Sequence, residues 1–345
     1  MRTMRCVAAT MLLTAGGVIQ AADDPTQAEI DEMMHRMDMM PEVYGQLSLA
    51  LEHNETRNIQ QGSQTSFRDN HSWIGVRNQT EIMPGTEAFV RGEWSSIPTD
   101  DDGMTDNLEY AYLGVEGDFG RIWGGTDDSV FEQELDRVAN FFEGEFRDEE
   151  GDVLRHFKGP YDTGRDRLIQ YRSPSYGNWQ FHGAVQLNED GNDDVADGNE
   201  KEGRPYQLIT TYKSGNWVWA LGMDSNDGDS TARLGERNNE NTYGARGSYK
   251  GERWSLTAQY QHRDDVRNVG SLLTTYSIGP NRFSVAWERE RDDTQADTET
   301  RTAYTAQILH DVNESMAVYV EGYQLESDGM TPMRRDLIIG SRYRF

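Results

Sequence analysis

Seven histidines, His35, His53, His71, His156, His182, His262 and His310, are scattered along the chain, and none clusters as zinc ligands do. There is no His-Glu-x-x-His, no Gly-x-Ser-x-Gly elbow and no glycine-rich loop of the kind that cradles phosphate. Asp190-x-Asn192-x-Asp194 has the first three oxygen positions of a calcium loop. Val195 stands where the sharp turn needs glycine, so a solvated surface loop is the expected reading. The only cysteine is Cys6. Catalytic residues, a resident metal and a cofactor are therefore not expected.

What remains is charge. The chain has 60 acidic residues against 33 basic ones, for a net charge of -27, and only four of the basic residues are lysines. That balance argues against nucleic acid or an anionic surface as partner. The acids are densest between Asp127 and Arg165, where Asp127, Asp128, Glu132, Glu134, Asp136, Glu143, Glu145, Asp148, Glu149, Glu150 and Asp152 share a stretch with Phe131, Phe141, Phe142, Phe146 and Phe157. A purely solvated loop rarely holds so many phenylalanines. A segment that packs back on a wall and presents carboxylates there needs them.

The elements that must position these charges follow from periodicity. Residues 1–22 open with Arg2 and Arg5, continue through a short apolar run and end in Ala21-Ala22 before Asp23-Asp24, as a secretory signal peptide does. With it removed, the remaining chain has no thiol. In 23–41, Ile30, Met33, Met34 and Met37 recur at helical spacing up to Pro41, which predicts a short helical segment.

From Glu42 to Phe345 the period is two. Val43, Gly45, Leu47, Leu49 and Leu51 alternate with Tyr44, Gln46, Ser48, Ala50 and Glu52, and the same texture runs to Leu337-Ile339-Ser341-Tyr343-Phe345. Sixteen such segments are predicted, joined alternately by short turns such as Met83-Pro84-Gly85 and by long polar loops near 53–70, 96–107, 127–165, 188–205, 225–241, 262–270, 291–301 and 326–333. A soluble sandwich has no need of that alternation in loop length, and aromatics such as Trp217, Trp254, Tyr343 and Phe345 gather at strand ends. Both features suit an antiparallel transmembrane β-barrel with its apolar face in lipid. Within hydrocarbon a strand's backbone groups are satisfied only if the sheet closes. The polar residues, among them Arg77, Glu87, Arg91, Glu93, Glu109, Arg121, Gln170, Arg172, Arg246, Lys250 and Glu321, then line a lumen too wide for side chains to fill.

Three stretches resemble the trimeric general-diffusion porins of Gram-negative bacteria. Ala111-Tyr-Leu-Gly-Val-Glu-Gly-Asp-Phe-Gly120 resembles that family's fourth strand and turn, Gln170-Tyr-Arg-Ser-Pro-Ser-Tyr-Gly177 the motif after its constriction loop, and Gly340-Ser-Arg-Tyr-Arg-Phe345 its terminal strand. The resemblance implies an outer-membrane homotrimer, a third loop folded into each lumen and passive diffusion of small hydrophilic solutes and ions. It implies pore-wall positions at Arg77 and Arg121, facing acids of the loop at Glu143, Glu145, Asp148, Glu149 and Glu150, and the strand phase adds Arg91, Gln170 and Arg172 to the expected pore wall. Tyr343 and Phe345 match the signal read by the barrel-insertion machinery, and outer-membrane lipid and lipopolysaccharide are the expected surroundings, with divalent ions a means of bridging acidic loops to the latter. Thr126 after Gly125, and Gln170, stand where the family often has arginine, so a cation-preferring pore is expected. The alternatives are a porin selective for a sugar or an anion, and a barrel enzyme or adhesin.

Overall fold

The computed structural model describes residues 40–56, 64–95, 107–144, 146–147, 153–154, 156–187, 204–226, 240–293, 299–328 and 334–345. The expected signal peptide and leading helix, the calcium-like loop, and Glu145, Asp148, Glu149 and Glu150 lie outside the described residues.

Sixteen staves close into one antiparallel barrel. They are β1 (Glu42–Thr56), β2 in two pieces (Gln64–Asp69 and Trp73–Met83), β3 (Thr86–Ser95), β4 (Asn107–Gly117), β5 (Gly120–Thr126), β6 (Leu168–Arg172), β7 (Trp179–Gln186) and β8 (Tyr206–Ser214). The second half runs through β9 (Trp217–Asp224), β10 (Thr242–Lys250), β11 (Trp254–Arg263), β12 (Arg267–Ile278), β13 (Asn281–Asp292), β14 (Glu299–Asp311), β15 (Met316–Ser327) and β16 (Arg334–Arg344). Closure comes from β1 against β16, in register from Gln46↔Arg344 to Thr56↔Arg334. Gly45 and Phe345 extend that seam with two backbone hydrogen bonds of 3.1 Å.

The side-chain pattern is inverted relative to a soluble sheet. On β13, Phe283, Val285 and Trp287 are exposed while Ser284, Glu288 and Glu290 are buried. The exposed apolar face belongs in hydrocarbon, and the buried polar face lines the lumen, where charge is tolerated because it meets water or a partner. The closed backbone ladder is what permits a chain of such low mean hydropathy to cross a membrane.

The tight turns fall where the sequence predicts them, and Gly120 turns between β4 and β5 with φ of 101°, open to glycine at little cost. Two connections read as long are shorter. The strands run on through 53–56 and 64–69, because polar residues there still alternate across the ladder. The supposed loop 262–270 is a three-residue connection, Asp264-Asp265-Val266, with His262 and Arg263 paired to Asn268 and Arg267.

Candidate functional site

The segment between β5 and β6 starts with a one-turn helix, α1 (Val130–Leu135), whose first turn is capped by the Ser129 hydroxyl accepting from the Glu132 N–H at 3.3 Å. Val130, Phe131 and Leu135 are fully buried against Tyr161 of the returning arm and Ile209 and Ala220 of the wall. Gly222 and Gly244 make room for them, since a Cβ at either would come within 2.9 Å of Leu135.

Glutamine and glutamate side chains of the polar barrel face hold the segment's backbone. The Gln207 carbonyl oxygen accepts from the Phe131 N–H at 3.0 Å. That of Gln259 accepts from the N–H groups of Arg137 and Val138 at 3.0 and 3.1 Å, while its amide donates to Asp136 at 3.0 Å. The Glu321 carboxylate accepts from the N–H groups of Glu143 and Gly144 at 3.3 and 3.4 Å. On the returning arm His156 stacks on Phe142, ring centroids 4.7 Å apart, and pairs through Nδ1 with buried Glu288. Arg263 closes the attachment through Asp162 at 2.5 Å.

Between this segment and the opposite wall lies a polar cavity of about 660 Å³. Asp128, Glu132, Asp136 and Glu143 reach it from the segment together with Arg137, and Arg246, Arg282, Arg342 and Arg344 from the barrel. Glu143 pairs with both Arg342 and Arg282, the latter at 3.5 Å. Glu134 is a second junction, with Arg246 at 3.3 Å, Arg172 at 3.6 Å and Arg137 at 3.8 Å. A smaller cavity of about 280 Å³ is lined by Arg91, Arg121 and Arg172 together with Asp127, Asp128, Tyr110 and Tyr112.

Arg91, Arg121 and Arg172 are thus brought together. Arg77 is not among them: it forks onto Glu42 with two 3.0 Å bonds and covers the Tyr44 ring near the short-turn end. Gln170 is buried and holds the start of the segment, donating to the Asp128 carbonyl at 3.1 Å. Glu143 lines the larger cavity. Tyr343 and Phe345 are both about half exposed on the outer surface at the seam, 48% and 54%. Arg282, Arg342 and Arg344 were not singled out from sequence as wall positions. The available signal was register, since each falls on the polar phase of its strand close to a short turn.

Burial sets the ionisation of the segment's own acids. Desolvation pushes the Asp136 carboxyl up to about 6, against the hydrogen bond from the Gly159 N–H. Asp127 is likewise raised to about 6 by desolvation, with the Trp123 N–H opposing. Burial would lower His156, but the Glu288 carboxylate beside it outweighs this and raises it above the ordinary histidine range.

Residues 8–330 match the family model described as Gram-negative porin. The chain belongs to that family. It is an outer-membrane porin. No curated protein sequence matches it. Among solved structures, the anion-selective porin of Comamonas acidovorans has a TM-score of 0.67 at 15% identity, with 89% of this chain and 99% of that one covered. Salmonella typhi OmpF in complex with daunomycin has a TM-score of 0.69 at 13% identity, with 90% and 99% covered. The trimer form of OmpT, an outer membrane protein of Vibrio cholerae, has a TM-score of 0.62 at 13% identity, with 89% and 99% covered. At these identities the structures speak for the porin fold alone.

Proposed function

We propose that this porin is a non-specific, water-filled channel for small hydrophilic solutes and ions, narrowed by the 127–165 segment and doing no chemistry of its own. The observation that carries the reading is the larger cavity, where four carboxylates and one guanidinium on the segment side face four guanidiniums on the wall side. Charges of opposite sign across a narrow aqueous gap orient polar solutes and reject apolar ones. In this reading Arg91, Arg121, Arg172 and Glu143 act at the narrow zone, while Gln170 and Arg77 serve structure.

The lining does not support the cation preference expected from sequence. The arginines thought missing near β5 and β6 are replaced by Arg282, Arg342 and Arg344 from the far wall, and with Arg246 and the segment's own Arg137 five guanidiniums face four carboxylates around the gap. A weak anion preference follows. Reversal potentials in a planar bilayer under a KCl gradient test it: a potential of anion-selective sign is expected, and one of cation-selective sign refutes the preference.

The chain works in this reading as a homotrimer, for which the trimer form of the Vibrio cholerae protein is a precedent. An apolar groove on the outer face over β2–β6, with Val90, Leu113 and Ile122 beside the polar Asn78 and Thr80, suits a second copy better than lipid. Residues 1–22 direct export, Tyr343 and Phe345 present the insertion signal, and lipid and lipopolysaccharide surround the barrel.

A further inference from the structure

The loop lengths orient the barrel, with short turns at the periplasmic end and long connections outside. Ranking the lumen-facing charges by height then separates them by sign. The periplasmic half carries Arg121, Arg172, Arg246, Arg282, Arg342 and Arg344, and basic side chains outnumber acidic ones there. The external half carries Glu52, Asp224, Glu288, Glu290 and Asp336, all buried on the inner face, and acidic side chains of the wall outnumber basic ones there. Ion pairs reduce both zones without cancelling them: Arg267 and Arg301 flank Glu290, Arg334 sits on Asp336 and Glu116 sits beside Arg121. In the basic zone two carboxylates of the segment, Glu134 and Glu143, face four guanidiniums, those of Arg172, Arg246, Arg282 and Arg342.

We infer that this axial separation makes the porin a rectifier, conducting more current when the external side is positive. The inference goes beyond the proposed diffusion channel, on which it rests. The two zones do not cancel. Arg282 and Glu290 lie on one strand, eight residues apart. At about 3.3 Å per residue and a tilt near 40°, that is roughly 20 Å along the axis. The Debye length at 0.1 M salt is about 10 Å, so each zone acts on ions separately. The acidic zone admits cations from outside, and the basic zone admits anions from the periplasm. With the outside positive, both carriers are driven towards the junction and accumulate, and conductance rises. With the polarity reversed, cations leave the junction through the acidic zone and anions through the basic zone, while replacements from the opposite ends must enter through a zone of their own sign, so the junction is depleted.

The test is current against voltage for single inserted channels, in symmetrical 0.1 M and 1 M KCl. Orientation is assigned with Asp265→Cys in the external β11–β12 connection and a membrane-impermeant thiol reagent on one side. The expected ratio of outside-positive to outside-negative current is roughly 1.5 at 0.1 M and close to one at 1 M, where the Debye length falls to about 3 Å. The variant carrying Arg282→Gln, Arg342→Gln and Arg344→Gln is expected to lose the asymmetry. If it does not fold, Lys213→Gln with Lys250→Gln, at the same end of the lumen, is expected to reduce it. A linear trace at 0.1 M, an asymmetry of opposite sign, or one that survives these substitutions overturns the inference. Conductance in 1 M salt reports separately whether the chain forms a channel at all.

Discussion

Replacing Gln259 by leucine, a side chain of similar size, removes three hydrogen bonds without opening a large cavity. The N–H groups of Arg137 and Val138 lose their acceptor and Asp136 loses a donor. A buried group left unsatisfied costs about 1–3 kcal/mol, and these lie at the low end because Asp136 and Arg137 border a wet cavity. Taking about 1 kcal/mol for each, Gln259→Leu lowers the free energy of detaching the segment by about 3 kcal/mol. Local opening then becomes roughly a hundredfold more frequent, because each 1.4 kcal/mol is about a factor of ten. Hydrogen exchange read by mass spectrometry on peptides spanning 130–144 measures it directly. Peptides from β13 to β16 are expected to keep their protection, because the ladder is untouched. Unchanged exchange in the segment would refute the idea that wall glutamines hold it in place.

Three more outcomes are expected. Lowering the pH from 7.5 to 5 neutralises Asp127 and Asp136, both raised to about 6, so the reversal potential should move in the anion-selective direction with a midpoint near 6. Because both pKa values are raised on folding, their ionisation opposes segment attachment. The attachment is strongest below the ordinary aspartate range and weakens as pH rises through 6, which exchange rates across that window will show. His156→Phe keeps the stack on Phe142 but leaves Glu288 unpaired, at a cost of about 3 kcal/mol visible as a lower thermal midpoint. In the parent the His156 charge is present below the ordinary histidine range and is lost as pH rises through its raised value, so the difference between parent and variant should shrink in alkali. Glu143→Gln uncovers Arg282 and Arg342 and should raise the anion-to-cation permeability ratio by roughly a factor of two, measured under a salt gradient.

The period of two, the tight turns and the excess of aromatics at strand ends were all legible along the chain, and together they led to a sixteen-strand barrel with a special segment after the fifth strand. They are local properties: alternation decides which side chains face lipid, and glycine decides where the chain can reverse. Loop lengths were harder to read, because polar residues that continue a ladder above the membrane look like loop. The charged lining was legible only in part. Arg91, Arg121 and Arg172 come from strands close in sequence, and the reading brought them together. Arg282 and Arg342 meet Glu143 across 139 and 199 residues of chain, a juxtaposition that exists only once the barrel closes and the segment is fastened to its wall. Alternation along a strand determines which way a side chain points. How high it stands in the lumen and what faces it across the water depend on the register and closure of the whole sheet.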